Sequence, residues 1–152
     1  MNDPQTLLVF RLEGRLHGVP LDRVGRVLRA AEVTPLPGAP AAVLGAIDLA
    51  GALLPVVSLR SRLGLPERPL APAHQFLVVQ TAAGAVALVV DEVEGLSAPE
   101  PAAIASVPLA PGLEAFHGLA RLDDGLALIH DVERLLSGED QRRLATALEA
   151  VG

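Results

Sequence analysis

Apolar and polar residues alternate along most of this chain, and the pattern is sharpest between Val43 and Arg60, VLGAIDLAGALLPVVSLR. Two apolar runs, VLGAIDL and LLPVVSL, flank Ala50-Gly51-Ala52, with β-branched residues and alternation at Ile47, Leu49, Leu54, Val56 and Leu59. This spacing predicts a β-hairpin. Gly51 supplies the positive φ of a tight connection, and Pro55, which has no N–H for a ladder, places its strand at an edge or its bond on an unpaired side. Gly45 inside the first run predicts a bulge, or a point where something approaches the backbone closely.

Upstream, the pattern predicts a strand over Leu7 to Leu12, a turn at Glu13-Gly14-Arg15 and a short strand from Leu16 to Val19. Leu21, Val24, Val27 and Leu28 then have the spacing of a short amphipathic helix following Pro20, although Gly25 is a poor helix former. AEVTPLPGAPAAV is a turn-rich connection, and Gly64, Pro66, Pro69 and Pro72 mark a loop. A second set of elements follows that resembles the first. FLVVQ from Phe76 lies on LLVFR from Leu7, and LVVDEVEGL from Leu88 lies on VPLDRVGRV from Val19, without a gap. The constant offset of 69 positions matches Leu77 to Leu8, Val78 to Val9, Asp91 to Asp22 and Val93 to Val24. HGLARLDDGLALIHDV likewise echoes the central hairpin, with Gly118 over Gly45, Leu122 over Leu49 and Asp124-Gly125 as the turn. Such a repeat predicts two similar small β-barrels in which Leu8 and Leu77, and Val24 and Val93, are comparably buried. SAPEPAAIASVPLAPG reads as an irregular surface connection. Asp131 caps a short helix through Leu136, and Ser137 with Asp140 opens a terminal helix carrying Leu144, Leu148 and Val151 on one face.

Composition narrows the chemistry. The 152 residues suit one domain, half of them hydrophobic but with three Phe, no Trp and no Tyr, so the core is aliphatic. A net charge of −6 without stacking aromatics disfavours nucleic acid as a partner. No cysteine means no disulfide or thiolate site, which fits a reducing interior, and MNDPQTLLVFRLEG has neither a basic region nor a long apolar run. The expected location is the cytoplasm, with a membrane reached only through a partner. His17, His74, His117 and His130 are scattered without ligand spacing, so solvated or individually satisfied histidines are expected rather than a metal site. Asp91, Glu92 and Glu94 suit a turn or cap better than an acid–base pair, and Asp123 and Asp124 suit a hairpin turn better than calcium. Nucleophile elbows, phosphate-binding glycine loops and lysine are all missing. No catalytic, cofactor or metal residues are assigned, and a non-enzymatic binding module is expected. Its twelve basic residues are all Arg, several of them near the central hairpin, including Arg15, Arg23, Arg26, Arg29, Arg60, Arg62 and Arg68.

The central stretch also resembles the CheW-like family, adaptors that couple chemoreceptors to a histidine kinase in bacterial chemosensory arrays. The matching residues are Gly45, Ile47, Leu49, Gly51, Pro55, Val56, Leu59 and Arg60, within a likeness running from about Leu7 to about Leu136. Three signature positions differ: Asp48 stands for Asn, Ala50 for Arg and Ser58 for Asp. The resemblance implies a mainly β fold of two SH3-like five-stranded barrels, a short helix in the first and a C-terminal helix over about 138–150. It implies one CheW-like domain over 1–152, with subdomains at about 14–72 and about 73–136, the second completed by the N-terminal strand. It further implies docking on the cytoplasmic tip of a chemoreceptor (methyl-accepting chemotaxis protein), in an apolar groove whose counterparts here are Val24, Val27, Gly45, Ile47, Val90 and Val93. The second implied partner is the regulatory domain of a CheA-type kinase. Arg26 falls where the family has Glu and Ala50 where it has Arg, so a characteristic pair is replaced and kinase docking is expected to be weakened or lost. Rival readings are a CheW-like module that binds receptor without coupling the kinase, and an enzyme with an unrecognised site.

Overall fold

The structure, a computed structural model, describes residues 6–100, 104–106 and 116–151. Its strands are β1 (Leu7–Leu12), β2 (Arg15–Pro20), β3 (Val24–Arg29), β4 (Val43–Leu49), β5 (Ala52–Ser58), β6 (Gln75–Thr81), β7 (Gly84–Val90), β8 (Glu92–Ser97), β9 (Ile104–Ser106), β10 (Phe116–Leu122) and β11 (Gly125–His130). Helices are α1 (Leu59–Leu63) and α2 (Gly138–Val151), with 3-10 turns at Leu21–Arg23 and Val132–Arg134. The strands form a five-stranded sheet, β3-β6-β7-β5-β4, and a six-stranded sheet, β8-β1-β2-β11-β10-β9. Each curls into an SH3-like barrel.

The two sheets share one topology. Under the repeat, β6, β7 and β8 correspond to β1, β2 and β3, while β10 and β11 correspond to β4 and β5; replacing each strand by its counterpart turns one sheet order into the other, with β9 added at the edge of the six-stranded sheet. Irregularities coincide as well. The ladder between β3 and β6 slips at Gly25, and its counterpart between β1 and β8 slips at Glu94. The β4–β5 ladder slips at Leu44, and the β10–β11 ladder at His117. One feature is absent from the repeat pattern: the sheets exchange strands across the expected boundary near residue 72, because β6 and β7 complete the first barrel and β1 and β2 the second.

Alternation along the exchanged strands then divides the core. Leu7 and Val9 join Leu16, Ala120, Ala127 and Ile129 inside the six-stranded barrel, and the counterparts Phe76 and Val78 join Leu54, Val56 and Ala87 inside the other. The opposite faces, with Leu8, Phe10 and Leu12 from β1 and Leu77 and Val79 from β6, meet in a shared core that Leu135, Leu136 and Leu144 help to close. Each fully buried Leu or Val contributes about 1.5 to 3 kcal/mol, so the shared layer fuses the barrels energetically. Leu8 and Leu77 are both buried, and Val24 and Val93 are both half-buried, as the repeat requires.

The expected helix over Leu21 to Leu28 is not formed. Only Leu21–Arg23 makes a 3-10 turn, and Val24–Arg29 is a strand. The extra residue at the Gly25 bulge explains the misreading: across a bulge, residues three apart share a face, so Val24 and Val27 pair with Val79 and Leu77 while imitating a helical period. The helix of this region is instead α1, closed by Gly64 at φ 68°. Asp131 accepts from the Glu133 N–H at 3.0 Å and Ser137 Oγ from the Asp140 N–H at 3.0 Å, capping the expected C-terminal turns. Leu144 is buried on α2, whereas Val151 is exposed. The Pro- and Ala-rich connection lies mostly outside the described residues, with Ile104–Ser106 forming β9 within it.

Candidate functional site

The central hairpin forms as its alternation predicts, with Ile47 opposite Leu54 and Leu49 opposite Ala52. Its turn holds Ala50 at φ 53° and Gly51 at φ 89°, and Asp48 Oδ1 accepts the Gly51 N–H at 2.8 Å. Aspartate at this position therefore closes the turn through its own side chain. Pro55 sits where β5 has β4 on one side and no partner yet on the other, since pairing with β7 begins at Val56. Ser58 Oγ lies 3.3 Å from a Glu67 carboxylate oxygen.

The candidate groove residues divide by exposure. Val24 and Val93, counterparts in the repeat, are half-buried against the shared core, and Val27 is 37% exposed. Ile47 is half-buried against the interior of its own barrel. Val90 has no exposed surface, because β7 is covered on both faces and its last valine points into the shared core. Gly45 is the point of close backbone approach, but the approaching group is internal: Thr34 bridges to Ala46, and a Cβ on Gly45 would collide with the Thr34 carbonyl. Val90 and Gly45 thus act through packing, which leaves Val24, Val27, Ile47 and Val93 with surface to offer.

Arg26 and Ala50, both exposed, belong to the open end of the five-stranded barrel. Arg26 lines a cleft of about 480 Å³ there with Leu49, Ala52 and Leu53, next to the turn that carries Ala50. The other barrel has the corresponding cleft, about 220 Å³, between Val9, Leu16, Glu94 and Leu122. Glu94 is paired with Arg11, so the two ends differ in charge.

Two polar arrangements lay beyond the reach of sequence reasoning. The first centres on Arg60, only 6% exposed, which pairs with Glu13 in the β1–β2 turn and donates to Asp91 Oδ1 at 2.6 Å between β7 and β8. Arg68 adds a second pair to Glu13, and the two guanidiniums, Arg68 first, hold the Glu13 carboxyl down at about 2. The second joins His17 and His130, 3.0 Å apart between Nδ1 and Nε2 in the core. Burial pushes His17 down to about 4 and His130 to about 3. Aligned by the repeat, these histidines occupy the positions of buried Val86 and Val57, and that alignment was the signal that could have found them. His74 has Asp91 at 3.7 Å, while the His117 side chain lies outside the described residues.

Among the described residues no three His, Cys, Asp or Glu side chains gather as metal ligands, and no helix is long and apolar enough to cross a membrane. The CheW-like domain model matches residues 6–140. The chain is 26% identical over 153 residues to Chemotaxis protein CheW of Treponema pallidum, covering 95% of this chain and 90% of that one. It is 34% identical over 113 residues to Protein FrzA of Myxococcus xanthus, covering 74% and 71% respectively. The crystal structure of scaffolding protein TtCheW from Thermoanaerobacter tengcongensis superposes with a TM-score of 0.81 at 26% identity, over 90% of this chain and 95% of that one.

Proposed function

The chain belongs to the CheW-like domain family of chemotaxis scaffold proteins, and from that membership we propose that it is a non-enzymatic cytoplasmic adaptor docking on the helical tip of a chemoreceptor. The observation that carries the docking is the half-buried state of Val24 and Val93, each packed on the shared core yet open on one side. An apolar strip backed by a rigid core suits the apolar face of a helical hairpin. A purified receptor cytoplasmic fragment tests this directly. Val24→Asp places a carboxylate where the partner would desolvate it, and affinity should fall about a hundredfold or more, well beyond what a modest drop in melting temperature from its lost packing on the shared core would cause. Normal binding by a normally folded variant would overturn the docking surface.

The proposal extends to the kinase, whose regulatory domain is the second partner, with docking weaker than the family pattern would provide. Arg26 on the barrel-end cleft and Ala50, which has no charge of its own, in the turn beside it support this, since the Glu and Arg of the family pattern are replaced here by Arg and Ala. Titration against a CheA-type regulatory domain should show weak binding that Arg26→Glu with Ala50→Arg strengthens. Tight binding by the native chain, unimproved in the double variant, would instead assign it full coupling. A chain that binds receptor and not kinase would be a specialised module of the same family.

A further inference from the structure

Strands β2 and β11 close the six-stranded barrel over a short parallel seam, Leu16, His17 and Gly18 against Ala127, Leu128 and Ile129. His17 and His130 face each other beneath it, 2% and 1% exposed, with the Phe10 ring stacked on both at centroid distances of 5.5 and 5.9 Å. His17 Nε2 is buried without a hydrogen-bond partner. The five-stranded barrel closes with the same register, Val56 opposite Ala87 as Ile129 is opposite Gly18, and there the positions of Phe10, His17 and His130 are held by Val79, Val86 and Val57. The architecture therefore closes a barrel at this place with hydrocarbon alone. A buried imidazole pair with one orphaned nitrogen is a departure that the fold itself does not require.

We propose that the His17–His130 pair is an acid-operated latch, which holds β2 against β11 while neutral and releases that seam when it takes up protons. Between neutral rings a single N–H···N bond forms, whichever ring donates. A first added proton can leave that bond in place but puts a cation beside Phe10 and aliphatic side chains. A second removes the acceptor and sets two cations 3.0 Å apart. Among the described residues, the charges that act on the pair are these. Arg15 on β2 opposes protonation of His17, and Asp91 after β7 favours it but is already engaged by Arg60; His130 is opposed by His17. On the neighbouring strands, Arg11 of β1 is paired with Glu94 of β8, and Arg121 of β10 is exposed. Burial outweighs these effects, so both rings sit below the ordinary 6.5 in the folded chain. Their contribution to stability is thus complete above about pH 6.5 and is lost as pH falls towards about 4 for His17 and about 3 for His130, a range in which the opened seam binds more protons than the closed one. The seam of the five-stranded barrel has no titratable group at these positions and stays closed.

Hydrogen exchange on the full chain, corrected for the intrinsic rate, resolves the two seams. Between about pH 6.5 and about pH 4.5, protection of β2 and β11 should fall by up to about tenfold per pH unit for each proton taken up, while β5 and β7 hold. His17→Val with His130→Val, which copies the other barrel, should flatten that dependence. Unchanged protection of β2 and β11 throughout this range, or the same acid loss in the double variant, overturns the latch. Should that variant fold poorly, ring titration by NMR in the unsubstituted chain decides: both rings must stay neutral until the seam opens, and a ring titrating near 6.5 with β2 and β11 still protected refutes the proposal.

Discussion

Arg60 and Glu133 stand at the same place in the two barrels, one residue into the short helical turn after β5 and β11, and they carry opposite charges. Each reaches across to the turn of the exchanged hairpin. Arg60 takes the Glu13 carboxylate and Asp91, whereas Glu133 accepts the Ala82 N–H at 3.0 Å and pairs with Arg23. Ala82 is the repeat counterpart of Glu13, and the N–H of Glu13 is in turn bonded by Asp91 Oδ2 at 2.9 Å. A carboxylate on the hairpin-turn amide is therefore common to both barrels, but it comes from different residues. The exchange of hairpins thus sets the need for a tie at each turn and leaves its sign free. It also leaves burial free: Arg60's side chain is 7% exposed, while Glu133 and Arg23 are 35% and 41% exposed.

Breaking the buried tie should have the larger effect. Arg60→Met keeps most of the apolar stem and removes the guanidinium, leaving Glu13 and Asp91 with Arg68 and His74 nearby. The expected loss is about 2 to 3 kcal/mol in urea unfolding, below the upper range for buried pairs because both carboxylates keep access to water. Acid sharpens the assignment. Glu13 is held at about 2 in the folded chain against an ordinary 4.5, so its share of the stability is present above about pH 4.5 and disappears as pH falls towards about 2. Arg68, the larger of the two causes, remains in the variant, so the gap between native chain and variant should narrow over that window by Arg60's share alone. Protonation of the buried His17–His130 pair weakens both proteins alike and drops out of the difference. A gap that stays constant from neutral pH to about pH 3 would mean that Arg60 stabilises by packing, not charge.

What the sequence revealed and what it concealed follow from how far apart the participants lie. The hairpin around Gly51 and the 69-position repeat are local or translational patterns, and both were readable. Of the strand exchange, the resemblance implied only that the N-terminal strand completes the second barrel; that β2 goes with it while β6 and β7 cross the other way was not readable, because likeness between Leu8 and Leu77 says which segments correspond and nothing about which strands pair. Gly25 hid a strand by inserting one residue into its alternation. Gly45 announced a close approach correctly, yet the identity of the approaching group, Thr34, needed the fold. Arg60 was visible as a family position, but its partners are 47 and 31 residues away, and His17 meets His130 across 113. For the candidate site, exposure was the missing quantity. Val90 and Val93 look alike in sequence, and only the end of β7 inside the shared core separates them.

The smallest effect is expected at the exposed tie, and it tests whether burial is what ranks the two. Glu133→Gln keeps an oxygen able to accept the Ala82 N–H and removes only the charge that Arg23 uses. Solvent already screens that pair, so the loss should stay below about 1 kcal/mol and shrink further in salt. The Ala82 N–H and then Arg23 hold the Glu133 carboxyl below its ordinary 4.5, so its contribution too is present at neutral pH and fades as pH falls below about 4.5. Glu133→Ala, which also strips the amide of its acceptor, should cost more than Glu133→Gln, since the turn N–H would then rely on water. If Glu133→Gln instead destabilised the chain as much as Arg60→Met, exposure would not be ranking the ties, and the charge itself would matter equally in both barrels.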